Sequence, residues 1–253
     1  IDALMQGGER LGYAPKDILV KAELPASISS DPQATIDGVQ LQRLLWAIQS
    51  EMNDLFMGFL AQPAKPGLDQ VQSKIRFQCQ RLGEAIRVST DAREAVRNDV
   101  GYQCVEDKDL QQFTLIVHYQ LLPNVDAQLF YWHRLMLIYR YYCWLIGKRI
   151  KLTGLTFSGD PEDKLDDHFY TPFNAPVYFG QDCCSLTFDS QYLLCPIVRR
   201  ESEEDDYVNN YPNWFTVPGE DTSWTKQTEQ IIKAFQKERQ WSPSTLQVAK
   251  KLS

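Results

Sequence analysis

Most of the signatures by which a chain declares an enzymatic chemistry are missing here. There is no G-x-G-x-x-G, no G-x-x-x-x-G-K-[ST], no H-E-x-x-H and no G-x-S-x-G, which excludes dinucleotide, P-loop, zinc-peptidase and serine-hydrolase chemistry of the familiar kinds. Histidine is scarce: His118, His133 and His168 are the only ones, and no two stand at metal-ligand spacing. His168 follows Asp166 and Asp167 in a polar stretch that reads as a solvated loop rather than an acid–base pair. The six cysteines form no C-x-x-C, and the adjacent Cys183 and Cys184 would point to opposite faces of a strand. Free buried thiols in a reducing cytoplasm are expected. No metal, no cofactor and no enzymatic activity is expected.

Basic charge and long charge-free apolar runs are missing too. The net charge is −7 and the isoelectric point is about 5.1. Lysine and arginine are dispersed, which argues against a broad nucleic-acid surface on these residues. The longest apolar stretch, Leu129 to Ile146, contains His133, Arg134 and Arg140. Charges there are too costly for a membrane span, so the stretch predicts a buried helix of a cytoplasmic protein. No secretory leader is visible.

What is present suffices for a core: 253 residues, 43% of them hydrophobic, or about one to two domains. Prolines 15, 25 and 32 break the first residues into short helices and turns. Asp37 and Gln40 form a loose capping box before Leu41, Leu44, Leu45, Ile48 and Met52 at helical spacing. Pro63-Ala-Lys-Pro66-Gly67 reads as a breaker, and a helix over about 82–96 follows with Leu82, Ala85 and Ile86 inward. The period then changes. Val100, Tyr102 and Cys104, a polar turn, and then Phe113, Leu115, Val117, Tyr119 and Leu121 predict a hairpin with one covered face and His118 on the other. A helix over about 126–146, apolar nearly all round, should stop at Gly147. Ile150 to Phe157 predicts a strand bulged at Gly154. Val177 and Phe179 should then turn at Gly180-Gln-Asp182 into a second hairpin with Leu186 and Phe188. The acidic run 201–206 reads as a solvated face, and 223–238, with Trp224, Gln227, Ile231 and Phe235, as a helix. The predicted fold is α+β, with N-terminal helices, antiparallel hairpins packed around a buried central helix, and a C-terminal helical tail.

The central helix carries the candidate site. His133, Leu137, Arg140 and Trp144 share one face; Arg134, Ile138, Tyr141 and Leu145 share the neighbouring one. A buried arginine needs a partner. That partner is either an internal carboxylate such as Asp126 or Glu106, or an anionic or polar ligand group in a pocket between this helix and the two hairpins. On the second reading His133, Arg134, Arg140 and Trp144 are the ligand-binding candidates. The final residues, Trp241-Ser-Pro-Ser-Thr-Leu-Gln-Val-Ala-Lys-Lys-Leu-Ser253, read as the opening helix of a helix-turn-helix, with Ser242 as N-cap, Pro243 at the first position and Leu246, Ala249 and Leu252 on one face.

Several blocks in order resemble the AraC-type regulators that carry an arabinose-binding-like N-terminal domain. They are Leu82-Gly-Glu-Ala-Ile86, Tyr131-Trp-His-Arg-Leu135 running on to Tyr139-Arg-Tyr-Tyr-Cys-Trp-Leu-Ile-Gly147, Leu155-Thr-Phe157 with Phe173-Asn-Ala-Pro-Val-Tyr-Phe179, Phe188 to Ile197, and Trp224 to Ser253. The resemblance implies an effector-binding and dimerising domain over 1–210, a linker over 211–222, and over 223–253 the first helices of a DNA-binding domain. The recognition helix is missing from the sequence, so specific binding to duplex DNA is expected only through a further C-terminal part. Members of the family answer to different effectors, amino acids and hydrophobic acids among them, so sugar binding does not follow from the name. A free-standing small-molecule-binding or protein-interaction domain, without DNA binding, is the alternative.

Overall fold

Apolar side chains at helical spacing build the first hundred residues into five helices: α1 (Asp2–Arg10), α2 (Pro15–Lys21), α3 (Gly38–Met52), α4 (Pro66–Arg76) and α5 (Leu82–Glu94). The computed structural model describes residues 1–29, 34–163 and 165–209. The linker expected at 211–222 and the helices expected at 223–253 lie outside the described residues. The capping box at α3 forms as expected: the Asp37 carboxylate accepts from the Gln40 N–H at 2.8 Å, and the Gln40 side chain accepts from the Asp37 N–H at 2.9 Å. Leu44, Leu45, Ile48 and Met52 are buried along its inner face. Helix α4 corrects the reading of 63–67 as a breaker alone. Pro66 takes the first helical position, where a missing N–H costs nothing, and so starts a helix.

An irregular segment links α3 to α4, and Asp54 organises it. Its carboxylate, 2% exposed, accepts the backbone N–H groups of Phe56 (2.9 Å), Gly58 (2.8 Å) and Ala64 (2.6 Å). Buried donors that no ladder could serve are thereby satisfied. Helix α1 docks on this segment at Gly7, where a Cβ would sit 1.9 Å from the Met57 carbonyl oxygen, so only glycine admits the approach.

The remaining strands are β1 (Val100–Asp107), β2 (Gln112–Tyr119), β3 (Leu152–Thr156), β4 (Val177–Tyr178) and β5 (Cys184–Asp189), and they form one sheet in the order β1-β2-β5-β3-β4. The first hairpin is present, with Val100 opposite Tyr119 and the Asp107 carboxylate holding the turn through the N–H groups of Asp109 and Leu110. The expected second hairpin is not formed. Strand β5 lies between β2 and β3, antiparallel to both, with Phe188 opposite Phe113 and Leu186 opposite Leu155. Strand β4 pairs parallel with β3, Val177 opposite Leu155. Both edges of β5 are occupied by longer partners, whose cross-strand apolar pairs outweigh a tight turn to a two-residue strand. The expected irregularity at Gly154 is a register shift between β3 and β5.

The long central helix is α6 (Ala127–Leu145). The Asp126 side chain caps it through the Leu129 N–H at 2.9 Å. Gly147, at φ +65°, ends it, with the Gly147 and Lys148 N–H groups closing on the Trp144 and Cys143 carbonyls. Aromatic rings fix α6 on both sides. Phe130 meets Tyr119 of β2 at 5.0 Å between centroids and Phe59 at 5.1 Å, and the Tyr139 hydroxyl donates to the Ile150 carbonyl at 2.9 Å. A short helix, α7 (Glu204–Asn209), follows β5 and the turns after it. The fold is α+β, with seven α-helices and five strands among the described residues. None of the described helices is long and apolar enough to cross a membrane.

Candidate functional site

One face of α6 borders a cavity of about 330 Å³, at the small end of the range of roughly 300–1,000 Å³ usual for ligand sites. Arg134, Leu137, Ile138, Tyr141 and Tyr142 form this wall, spaced i, i+3, i+4, i+7 and i+8. Opposite stand Ser89, Thr90 and Arg93 of α5 with Asp69 and Arg76 of α4. Tyr102 of β1 and Trp46 and Gln49 of α3 contribute from either side, and α7 contributes Glu204, Asp205, Tyr207 and Val208. The cavity therefore lies between α6 and the helical layer, rather than between α6 and two hairpins. The side of α6 toward β3 is filled by Trp132, Tyr139 and Cys143, all buried.

Three arginines reach the cavity, and their surroundings differ. Arg76 approaches Glu204 at 3.6 Å and donates from Nε to the Tyr141 hydroxyl at 3.1 Å; that hydroxyl donates to Glu204 at 2.6 Å. Ser73 also donates to Glu204. Arg93 is held by Asp69 at 3.2 Å and Gln72 at 2.9 Å, with its guanidinium over the Tyr102 ring. Arg134, 7% exposed, donates from Nε to the Tyr119 hydroxyl at 3.4 Å, and its guanidinium lies over the rings of Phe56 and Tyr119. Among the described residues no carboxylate lies within salt-bridge distance of it. Burial works against its charge, but the Tyr119 and Tyr102 hydroxyls and, more weakly, Asp69 hold its pKa above the ordinary arginine value. Tyr119 in turn is hydrogen-bonded to Tyr102, which lines the cavity. Burial raises the phenols of Tyr119, Tyr141 and Tyr142, so at neutral pH all three present neutral hydroxyls.

Of the four candidates from the sequence, Arg134 lines the cavity. His133, 4% exposed, sits beside it on the helix but not in the lining. Neither of its ring nitrogens has a hydrogen-bond partner among the described residues. Burial first, and the Arg134 charge second, lower its pKa to about 3, so the ring is neutral. Arg140 is 1% exposed, lies close enough to Tyr207 and Cys143 to influence their ionisation, and is engaged in contacts of its own. The two carboxylates considered for it have other duties: Asp126 caps α6, and Glu106 meets Arg87 at 3.3 Å. Trp144 stacks on Tyr207 at 4.5 Å, with Phe77 edge-on at 6.2 Å and the Arg199 guanidinium over its ring. It anchors α7 rather than facing the cavity.

Sequence reasoning missed Arg76, Arg93, Tyr102 and Glu204. Arg76 lies on the helix that the two prolines concealed. Glu204 belongs to the acidic run read as a solvated face, yet it is largely covered. The only signal in the sequence was a single tyrosine, Tyr207, after that run.

The family model described as the arabinose-binding domain of AraC transcription regulators, N-terminal, matches residues 12–197. The chain belongs to this family. It forms the N-terminal, regulator-type domain of an AraC protein, with α7 following the matched segment. The crystal structure of the transcriptional regulator CdpR from Pseudomonas aeruginosa is similar at 14% sequence identity and a TM-score of 0.43, covering 94% of this chain and 73% of that one. No curated protein matches the chain.

Proposed function

We propose that this AraC-type domain senses a small molecule in the cavity between α6 and helices α3, α4, α5 and α7. The observation that carries the reading is the makeup of that cavity: one wall is α7, whose Glu204 is tied to Arg76 and Tyr141. A ligand there would touch the cavity wall nearest in sequence to 223–253, the residues we assign to the start of a helix-turn-helix domain. Binding that favours one position of α7 would shift the poise of the attached DNA-reading part toward one state. The regulator would work in the cytoplasm as a homodimer, and contact DNA through the helix-turn-helix domain rather than through this acidic one.

A thermal-shift screen of small metabolites tests this. A ligand at 100 times its dissociation constant stabilises by about 2.7 kcal/mol, which is readily seen as a raised melting temperature. Leu137→Trp, which fills the cavity from the α6 wall, should abolish the response. A ligand that stabilises both proteins equally binds elsewhere and overturns the reading.

A further inference from the structure

Helix α4 is turned inside out. Its buried residues, Gln72 and Ser73, are both polar. Asp69 and Gln72 hold Arg93, while Ser73 and Arg76 hold Glu204. The inner side of the helix is thus given over to the polar wall of the cavity. Its aliphatic side chains face the other way. Leu68, Val71 and Ile75, at i, i+3 and i+7, form one stripe. Leu68 is half-buried, Val71 is 56% and Ile75 38% exposed, and none of the three joins the hydrophobic core. Single exposed aliphatic residues are ordinary. A helix on a globular protein, however, normally turns such a stripe inward and its polar side to water. Here the order is reversed, and the stripe stands in water at a cost proportional to its area.

We infer that two copies of the chain meet at this stripe, α4 packing antiparallel on α4 of the second copy about a two-fold axis. The inference rests on the chain being a homodimer and does not depend on the ligand. A two-fold contact needs a surface complementary to itself. With the axis beside Val71, Leu68 of one copy faces Ile75 of the other, and the dipoles of the two helices run in opposite directions. The flanks carry both signs of charge at close range. Lys65 and Lys74 are exposed on α4; Asp205 and Asp206 are exposed on α7, which Glu204 fastens to α4 through Ser73 and Arg76. None of these four is in an ion pair among the described residues. Across a two-fold axis the lysines of each copy meet the aspartates of the other, so the pairing is made twice. Val208 of α7, 39% exposed, widens the apolar area. Asp69, Gln70 and Arg76 of the same helix line the cavity, so the dimer contact and the cavity share α4.

The test reads the dimer dissociation constant of the 253-residue chain by sedimentation across a concentration series at fixed pH and salt. The parent is expected to dimerise. Val71→Glu combined with Ile75→Glu should raise the dissociation constant at least about a hundredfold, since each contact would then bury four carboxylates. Both positions are exposed, so the variant should keep the fold and the circular dichroism spectrum of the parent. Val105→Glu combined with Leu110→Glu adds the same charge on the first hairpin, where both residues are exposed, and should leave the dissociation constant within a few-fold of the parent. Val71→Cys supplies a readout that needs no glutamate. Under mild oxidation it should join two chains by a disulfide across the axis, seen as a doubled mass without reductant, well beyond what the parent or Leu110→Cys gives. Should the paired glutamates disturb folding, this cross-link decides. A parent that stays monomeric up to its solubility limit overturns the inference and the homodimer together. A parent that dimerises while the glutamates on α4 do no more than those on the hairpin, or while Val71→Cys fails to cross-link, overturns α4 as the contact and leaves the homodimer standing.

Discussion

Toward β3 and the turns after it, α6 presents Trp132, Tyr139 and Cys143. The Trp132 indole N–H donates to the Phe169 carbonyl at 2.7 Å, and the Tyr139 ring lies 5.8 Å from that of Phe173. Toward α4, α5 and α7 the same helix lines the cavity with Arg134, Leu137, Ile138 and Tyr141. Both sides are rich in aromatic and polar groups. They differ in what faces them. On one side each polar tip meets a backbone group fixed by the fold, the Trp132 and Tyr139 tips a carbonyl and the Cys143 sulfur the Ile150 N–H. On the other, polar groups from five elements, α3, α4, α5, β1 and α7, converge around a cavity. Residue type does not separate a packed face from a binding face; the number of partners the fold supplies does.

Substitutions on the two sides should therefore behave differently. Tyr139→Ala removes a 1% exposed ring and the hydroxyl bound to Ile150, and should cost about 3–5 kcal/mol in urea denaturation. A loss below 1 kcal/mol would mean that the packed side is loose as well. Arg140→Ala should cost about 3 kcal/mol, since it strips buried stem packing and the contacts of a covered guanidinium, but should leave any ligand response intact. If it instead melts normally and loses the response, Arg140 belongs to the site and the contrast between faces fails.

His133 lies between the two sides, and its effect depends on pH. Its folded pKa, about 3, is below the unfolded value of about 6.5. The unfolded chain therefore takes up the proton first as pH falls, and stability drops from about pH 6.5 downward, by at most about 1.4 kcal/mol per pH unit until about pH 3. Above that window the contribution is fully present. His133→Leu should flatten this part of the stability profile; an unchanged slope between pH 6 and 4 assigns the acid sensitivity to other groups. The smallest effect is expected on the cavity side. Leu137→Ala already borders open space, so it should cost under about 1 kcal/mol. A cost near that of a core leucine, about 3 kcal/mol, would show that the cavity is closed in solution.

The capping box at Asp37, the α3 stripe, the first hairpin, the bulge at Gly154 and the stop at Gly147 were all legible in the chain, because each is set by residues within one turn or one strand of each other. The central helix was legible too, as was the cost of its buried arginines. The family was legible in the ordered blocks of the chain as well. The second hairpin was misread because pairing is a competition among strands. Val177 and Leu186 look like hairpin partners locally, but β2 and β3 arrive from elsewhere and take both edges of β5.

The candidate site was legible only in part, for the same reason. The sequence determined that α6 would be buried and that Arg134, Arg140 and His133 would need partners, since burial and charge are properties of the residues themselves. Only the tertiary structure decided which arginine faces a cavity. The partners lie far along the chain, with Glu204 beside Arg76, Asp69 beside Arg93, and a phenol in place of a carboxylate beside Arg134. Whether a charge is neutralised is a matter of a few ångströms between segments, which no local pattern encodes.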